Sequence, residues 1–245
     1  MTPAVALATT TRVLRQLGRD PRTLALVFAV PPALLAIFRY VFSGQDATFD
    51  RIGGPLVGIF PFTSMFVVTS IAMLRERTTG TLERLMTLPL AKLDILAGYG
   101  LAFALVATVQ ASISAGVAFG VLGLDVAGPI WVVIALAVCN AILGMALGLF
   151  ASAFAATEFQ AVQFLPALVF PQLLLCGLLT PRDRMARPLE LVSTALPLTW
   201  AYDGLQRAAT LGETGAAVVR DAAIVVSVAL LALALGATTL RRRTR

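Results

Sequence analysis

Histidine is absent from this 245-residue chain, lysine occurs once, as Lys92, and charged residues make up only 13% of it. Each shortage excludes something. Without histidine there is no His-ligated metal centre and no Ser-His hydrolytic pair. With one lysine, in PLAKLD and with no Gly-x-x-x-x-Gly before it, no P-loop can be built. That loop needs glycine amides open to the phosphates and a lysine reaching the terminal ones. The two cysteines, Cys139 and Cys176, lie in apolar stretches and read as small core residues rather than a disulfide or a metal site. With 58% hydrophobic residues and a mean hydropathy of +0.88, there is too little polar surface to cover a water-soluble globule.

What is present is apolar length. Six stretches, near 22–42, 54–74, 93–122, 128–154, 159–180 and 216–240, reach the ~20 residues that a bilayer-crossing helix needs. They are apolar on all sides, whereas the strands of a transmembrane barrel alternate apolar and polar residues. The expected fold is an all-α membrane protein with six transmembrane helices, one domain over residues 1–245. The first run has full membrane length and follows Arg12, Arg15, Arg19 and Arg22, so it reads as a retained span and not a cleaved signal.

The net charge of +6 gathers at segment ends. Arg12, Arg15, Arg19 and Arg22 precede the first span; Arg75, Arg77, Arg84 and Lys92 follow the second; Arg241, Arg242, Arg243 and Arg245 follow the sixth. Six spans put these groups on one side, which the positive-inside rule makes cytoplasmic. The expected location is the plasma (inner) membrane, multi-pass, with both termini in the cytoplasm. Arg182, Arg184, Arg187 and Arg207 run against the rule, since this topology puts them outside. Membrane flanking accounts for the pI of about 10.3 without a nucleic-acid partner; membrane lipids are the expected surroundings.

Two segments are amphipathic. Over residues 6–20 a helical wheel puts Thr10, Val13, Leu14 and Leu17 on one face and Arg12, Arg15 and Arg19 on the other, with Gly18 and Pro21 ending the helix. Residues 1–21 read as an interfacial helix with its arginines toward anionic headgroups, or as a plain basic flank. The second segment, 75–90, carries Leu82, Leu85 and Met86 on one face and Glu76, Thr79, Glu83 and Thr87 on the other, and Pro89 stops it. A turn between two spans needs far fewer polar residues than this. Such a helix suits docking of a soluble partner.

The run ERTTGTLERLMTLPL (76–90) resembles the signature of type-2 ABC transporter permeases, the membrane subunits of daunorubicin-resistance and polysaccharide-export systems. A second match, FPQLLLCGLLTPRDRM (170–185) followed by LPLTWAYDGLQ (196–206), resembles the family's pattern before the last span. The resemblance covers essentially the whole chain; the Arg-rich stretch 182–187 departs from relatives whose linker is more apolar or acidic.

The resemblance implies that 75–90 is a coupling helix seated in a separate ATP-binding cassette ATPase subunit, contacted by Glu76, Arg77, Thr79, Gly80, Glu83 and Arg84. The turn at Thr157, Glu158 and Gln160 resembles a smaller second contact, although Glu158 equally suits a solvated helix cap. Two ATPase copies and a second permease copy, as a homodimer, complete the implied assembly. ATP and magnesium would sit in the partner, and this chain would hold no cofactor, no metal and no catalytic residue. The implied activity is export of an apolar or amphipathic substrate: a drug, antibiotic or lipid.

Residues 181–212, with Pro181, Pro188 and Pro197 among short amphipathic runs, read as re-entrant outer helices or as an external loop anchored by Trp200 and Tyr202. Within the spans, Gln110, Asn140, Gln160, Gln163 and Gln172 either face a cavity or bond helix to helix. Phe60, Phe62, Met65 and Phe66 either line an apolar path or face lipid and neighbouring helices. Gly54/Gly58, Gly116/Gly120 and Gly144/Gly148 have the GxxxG spacing that permits close helix approach. Three rivals remain: a permease for polysaccharide or other non-drug cargo, a stand-alone secondary transporter or channel, and an intramembrane lipid-modifying enzyme. The last two need mid-span carboxylates or clustered ligands, and the thirteen acidic residues lie almost entirely at segment ends.

Overall fold

The computed structural model describes residues 3–81 and 92–239, and among them only helices and turns occur. They are α1 (Pro3–Gly18), α2 (Pro21–Val41), α3 (Asp46–Thr78), α4 (Lys92–Gly120), α5 (Ile130–Ala151), α6 (Glu158–Phe164), α7 (Phe170–Leu175), α8 (Arg187–Ala195), α9 (Pro197–Thr210) and α10 (Ala216–Thr238). Six segments have the length and composition to cross a membrane: Pro21–Val41, Asp46–Thr78, Asp94–Gly120, Ile130–Phe154, Glu158–Leu175 and Ala216–Thr238. The protein is a multi-pass, all-α membrane protein.

Local chemistry sets the helix ends. Asp20 caps α2, its carboxylate accepting from the Thr23 amide at 3.2 Å and the Thr23 hydroxyl at 2.6 Å, with Pro21 in the first turn where its missing N–H costs nothing. Those hydrogen bonds hold the Asp20 carboxyl below its ordinary value. Thr157 caps α6 by accepting from the Gln160 amide at 3.2 Å, while the Gln160 side chain accepts from the Ala156 amide at 2.8 Å. The fifth span is not one regular helix. Pro166 and Pro171 lack the N–H that an α-helix requires, and Leu165–Val169 winds as a wider π turn between α6 and α7.

Successive spans run in alternate directions, so two ends are distinct. The basic end carries α1, the end of α3, the starts of α4 and α6 and the end of α10. Arg75 of α3 reaches Glu158 of α6 there, and Arg77 approaches Thr239 beyond α10 at 3.4 Å. The opposite end carries α8, α9 and the turns after α2 and α4.

The most buried span is α3, while α2, α6–α7 and α10 keep most of their surface outward. In lipid there is little hydrophobic gain in bringing apolar helices together, so the core depends on close packing. Its tightest seam joins α3 to α5. Gly144 lies against the backbone of Phe62, and Gly148 against the Phe66 carbonyl and the Thr69 hydroxyl. The Thr69 hydroxyl also sits 3.1 Å from the Met145 carbonyl. Gly54 and Gly58 likewise meet Ala209 and Leu205 of α9, whereas Gly116 and Gly120 face open space among the described residues. Two of the three GxxxG pairs are thus packing sites.

The N-terminal helix forms, and its buried face is Ala6, Thr9, Thr10 and Val13; of the two sets the wheel separated, Leu14 and Leu17 are half-buried, and Arg12 turns inward to Glu76 while Arg15 and Arg19 stay exposed. This face packs on the start of α4: the Thr10 hydroxyl lies 3.0 Å from the Gly98 carbonyl, and Gly98 admits Thr9 because it has no Cβ.

Candidate functional site

The basic end of α3 brings together most of the described residues expected to contact a partner. Glu158 forms a two-pronged ion pair with Arg75, at 2.7 and 3.0 Å, with both side chains about half exposed. Glu158 thus lies in the first turn of α6 and ties that helix to α3. Thr79 is exposed and closes α3, its amide and hydroxyl both donating to the Arg75 carbonyl at 2.9 and 2.8 Å. Gly80 follows with φ +71°, a left-handed conformation that costs glycine little and turns the chain away from the helix axis.

Glu76 and Arg77 do not share the exposed face that the isolated wheel gave Glu76. Glu76 is buried and accepts a 2.7 Å hydrogen bond from the Tyr99 hydroxyl of α4. Arg12 of α1 lies 3.4 Å from the same carboxylate oxygen, donates to the Tyr99 hydroxyl and stacks over its ring at 5.4 Å. The carboxylate therefore holds three helices together. Arg77 is half-buried, with its guanidinium toward Thr239. The side chains that α3 exposes at this end are Arg75, Thr78 and Thr79. Sequence reasoning missed Arg75, although 75, 78 and 79 share a helix face by spacing. Glu83 and Arg84 lie outside the described residues, as does most of segment 75–90.

Beside this elbow opens a groove of about 520 Å³ between α1, α2, α3 and α4, with Leu165 of the fifth span on its edge. Its walls are mostly apolar: Val13 and Leu17 from α1, Leu26, Val30 and Leu34 from α2, Phe60 and Val68 from α3, and Phe103 from α4. Asp20, Arg75 and Glu76 stand at its basic end. Thr63 and Ser64 add hydroxyls within it.

The residues proposed for a substrate path divide. Phe60 lines the groove, whereas Phe62 and Phe66 are fully buried in the α3–α5 seam. Gln110 is buried behind the groove, its amide nitrogen donating to the Val27 carbonyl at 2.7 Å and the Ser64 hydroxyl at 2.8 Å, which links α2, α3 and α4. Gln172 is buried on α7, where it donates to the Leu168 carbonyl at 2.9 Å and accepts from the Leu198 amide of α9 at 3.4 Å. Asn140 is buried on α5 beside Gly58, and among the described residues neither atom of its amide has a hydrogen-bond partner. Gln163 is exposed on α6, and Gln160 serves the α6 cap. The geometry brings Phe60, Ser64 and the elbow to one groove and leaves Asn140, Gln163 and Gln172 elsewhere.

Among the described residues no cluster of His, Cys, Asp and Glu could hold a metal ion.

Comparison with known proteins gives a consistent result. The family described as ABC-2 type transporter matches residues 5–209. ABC transporter G family member 20 of Dictyostelium discoideum is 26% identical over 167 residues, covering 68% of this chain and 23% of that protein. The probable multidrug ABC transporter permease YbhR of Escherichia coli K12 is 28% identical over 130 residues, 53% of this chain and 35% of the relative. The chain therefore spans about a quarter to a third of the length of these curated relatives.

Proposed function

This chain belongs to the ABC-2 type transporter family, and on that premise we propose that it is the membrane-spanning permease subunit of an ABC exporter. Its cargo is an apolar or amphipathic molecule: a drug, an antibiotic or a lipid. The observation that carries this reading is the apolar groove whose charged mouth adjoins the end of α3. Movement at that elbow reaches the groove wall without an intermediary, because Arg75 and Glu76 belong to both. The multidrug permease among the relatives supports the cargo class.

These 245 residues contain no P-loop, and on this reading ATP hydrolysis, with its ATP and magnesium, is assigned to a partner cassette subunit. Two such subunits dock on two permease copies through segment 75–90, with Arg75, Thr79, Gly80, Glu83 and Arg84 at the contact. Arg77 and the Arg75-bound Glu158 flank that contact. Glu76 acts behind it, through Arg12 and Tyr99. ATP-driven closure of the partners pushes on this elbow and opens the dimer outward.

The plasma membrane is the setting, with the basic end in the cytoplasm. Six spans leave twelve basic and five acidic residues at that end, against seven basic and eight acidic at the other, a net of +7 against −1 that accounts for the total of +6. The outer arginines that ran against the positive-inside rule are thus outnumbered by acids, and Arg182 and Arg207 are bonded to them. The test is purification from native membranes in mild detergent. A cassette ATPase should accompany the chain and be lost when Glu83 and Arg84 are replaced by Ala; a folded chain that always purifies alone would favour a stand-alone transporter.

A further inference from the structure

The end of the bundle opposite the elbow holds a second cavity, of about 770 Å³, between the start of α3, the strap 177–183 and α9. The strap doubles back over α9 because Gly177 takes φ +106° directly against the Tyr202 ring. Arg182 on the strap then pairs with Asp203 on α9, whose carboxylate is nearly buried, and the two charges cancel. Below, α9 is pinned to α10. Arg207 lies 3.3 Å from Asp221, a fully buried carboxylate that Arg220 also holds at 2.8 Å. One wall of the cavity is therefore fixed and electrically neutral.

Two charges in the lining remain. Arg51 projects from α3, and Asp183 from the strap; both are exposed, and among the described residues neither has an ion-pair or hydrogen-bond partner. A lone exposed charge is ordinary. Opposite charges from two different walls of one concavity, whose other ionic groups are already paired, form a recognition pattern. Tyr202 adds a phenol to this lining, and Ile52, Leu178 and Leu179 give it an apolar side.

We propose that this cavity binds the zwitterionic headgroup of an amphiphile, of the phosphoethanolamine type. The phosphate lies against Arg51, whose forked guanidinium suits a phosphate oxygen pair. The ammonium lies against Asp183, and the first acyl carbons lie along Ile52, Leu178 and Leu179. The inference rests on the exporter reading only for which side of the membrane the cavity faces. Binding is measured without the ATPase, so its failure leaves that reading untouched.

The experiment is native mass spectrometry of the full chain in neutral detergent, titrated with phosphatidylethanolamine, phosphatidylglycerol and diacylglycerol of matched chains. Phosphatidylethanolamine should bind preferentially, and Arg51→Gln and Asp183→Asn should each weaken it about tenfold, the scale of one lost charged contact. Arg51→Lys should retain part of the affinity, and Arg184→Gln, outside the cavity, should change nothing. Competition by soluble glycerophosphoethanolamine would support the headgroup as determinant. Equal binding of phosphatidylglycerol that only Arg51→Gln abolishes would overturn the proposal in favour of a plain anion site. Binding unaffected by either variant would overturn it altogether.

Discussion

Arg12 and Glu76, 64 residues apart in sequence, meet at 3.4 Å on the basic end of the bundle, with the Tyr99 hydroxyl bonded to both. One carboxylate thereby joins the N-terminal helix, the end of the second span and the start of the third. The end of α3, where docking of a partner is proposed, is thus braced by α1 and α4.

The brace is asymmetric in exposure, with side-chain values of 34% for Arg12 and 7% for Glu76. Arg12→Ala leaves a carboxylate buried with one neutral donor and should cost about 1–3 kcal/mol. Glu76→Gln frees Arg12 to reach water and should cost under about 1 kcal/mol. Thermal unfolding of the detergent-solubilised variants checks the order; equal losses would mean the contact is not a buried ion pair.

Gly98 accommodates α1 by having no side chain, because a Cβ there would collide with Thr9 and the Ala6 carbonyl. Gly98→Val should lift α1 from α4 while leaving the spans folded. Trypsin cleavage after the exposed Arg15 and Arg19 should rise severalfold in membranes, read by loss of an N-terminal tag.

Gly144 and Gly148 lie against backbone of α3, whereas among the described residues nothing crowds the position of a Cβ at Gly116 or Gly120. Gly144→Ala and Gly148→Ala should each cost more than about 2 kcal/mol by forcing the seam apart. The corresponding changes at 116 and 120 should fall within about 0.5 kcal/mol of the parent. Accumulation and unfolding temperature of the four variants separate the two pairs.

Burial raises the Asp203 carboxyl above its ordinary value, and Arg182 opposes the shift. A carboxyl raised on folding contributes stability that is full below its unfolded value of 3.8 and lost as pH rises through the folded one. Arg182→Ala removes the opposing charge and raises the folded value further. That variant should therefore lose stability at pH 7 and recover part of it on acidification toward pH 4.5, relative to the parent measured alongside.

Much of this architecture is legible in the sequence because bilayer length and end charges are written residue by residue. The six spans lie where apolar runs lie, although α3 starts at Asp46, well before the run at 54, since its first turns carry Asp46, Thr48, Asp50 and Arg51 and so do not read as an apolar run. What one sequence withholds is the neighbour. A wheel drawn for 75–90 alone cannot know that Tyr99 waits beside Glu76, nor that α1 brings Arg12 to it. Phe62 and Phe66 look like Phe60 in sequence, and only the small residues of α5 turn them into a seam while Phe60 meets the groove. Gln110 spends its amide nitrogen on neighbouring helices, and Gln172 divides its amide between the Leu168 carbonyl of its own span and α9, uses that composition cannot distinguish from lining a path.

The most direct test of the central claim places a cysteine at exposed Thr79 in a Cys139→Ser, Cys176→Ser background and applies a short cross-linker to native membranes. The account predicts a cross-linked product containing a cassette ATPase, with a yield that changes when ATP is bound and hydrolysed. A chain that is folded and membrane-inserted, yet yields only self-linked or lipid-facing products under both conditions, would contradict it.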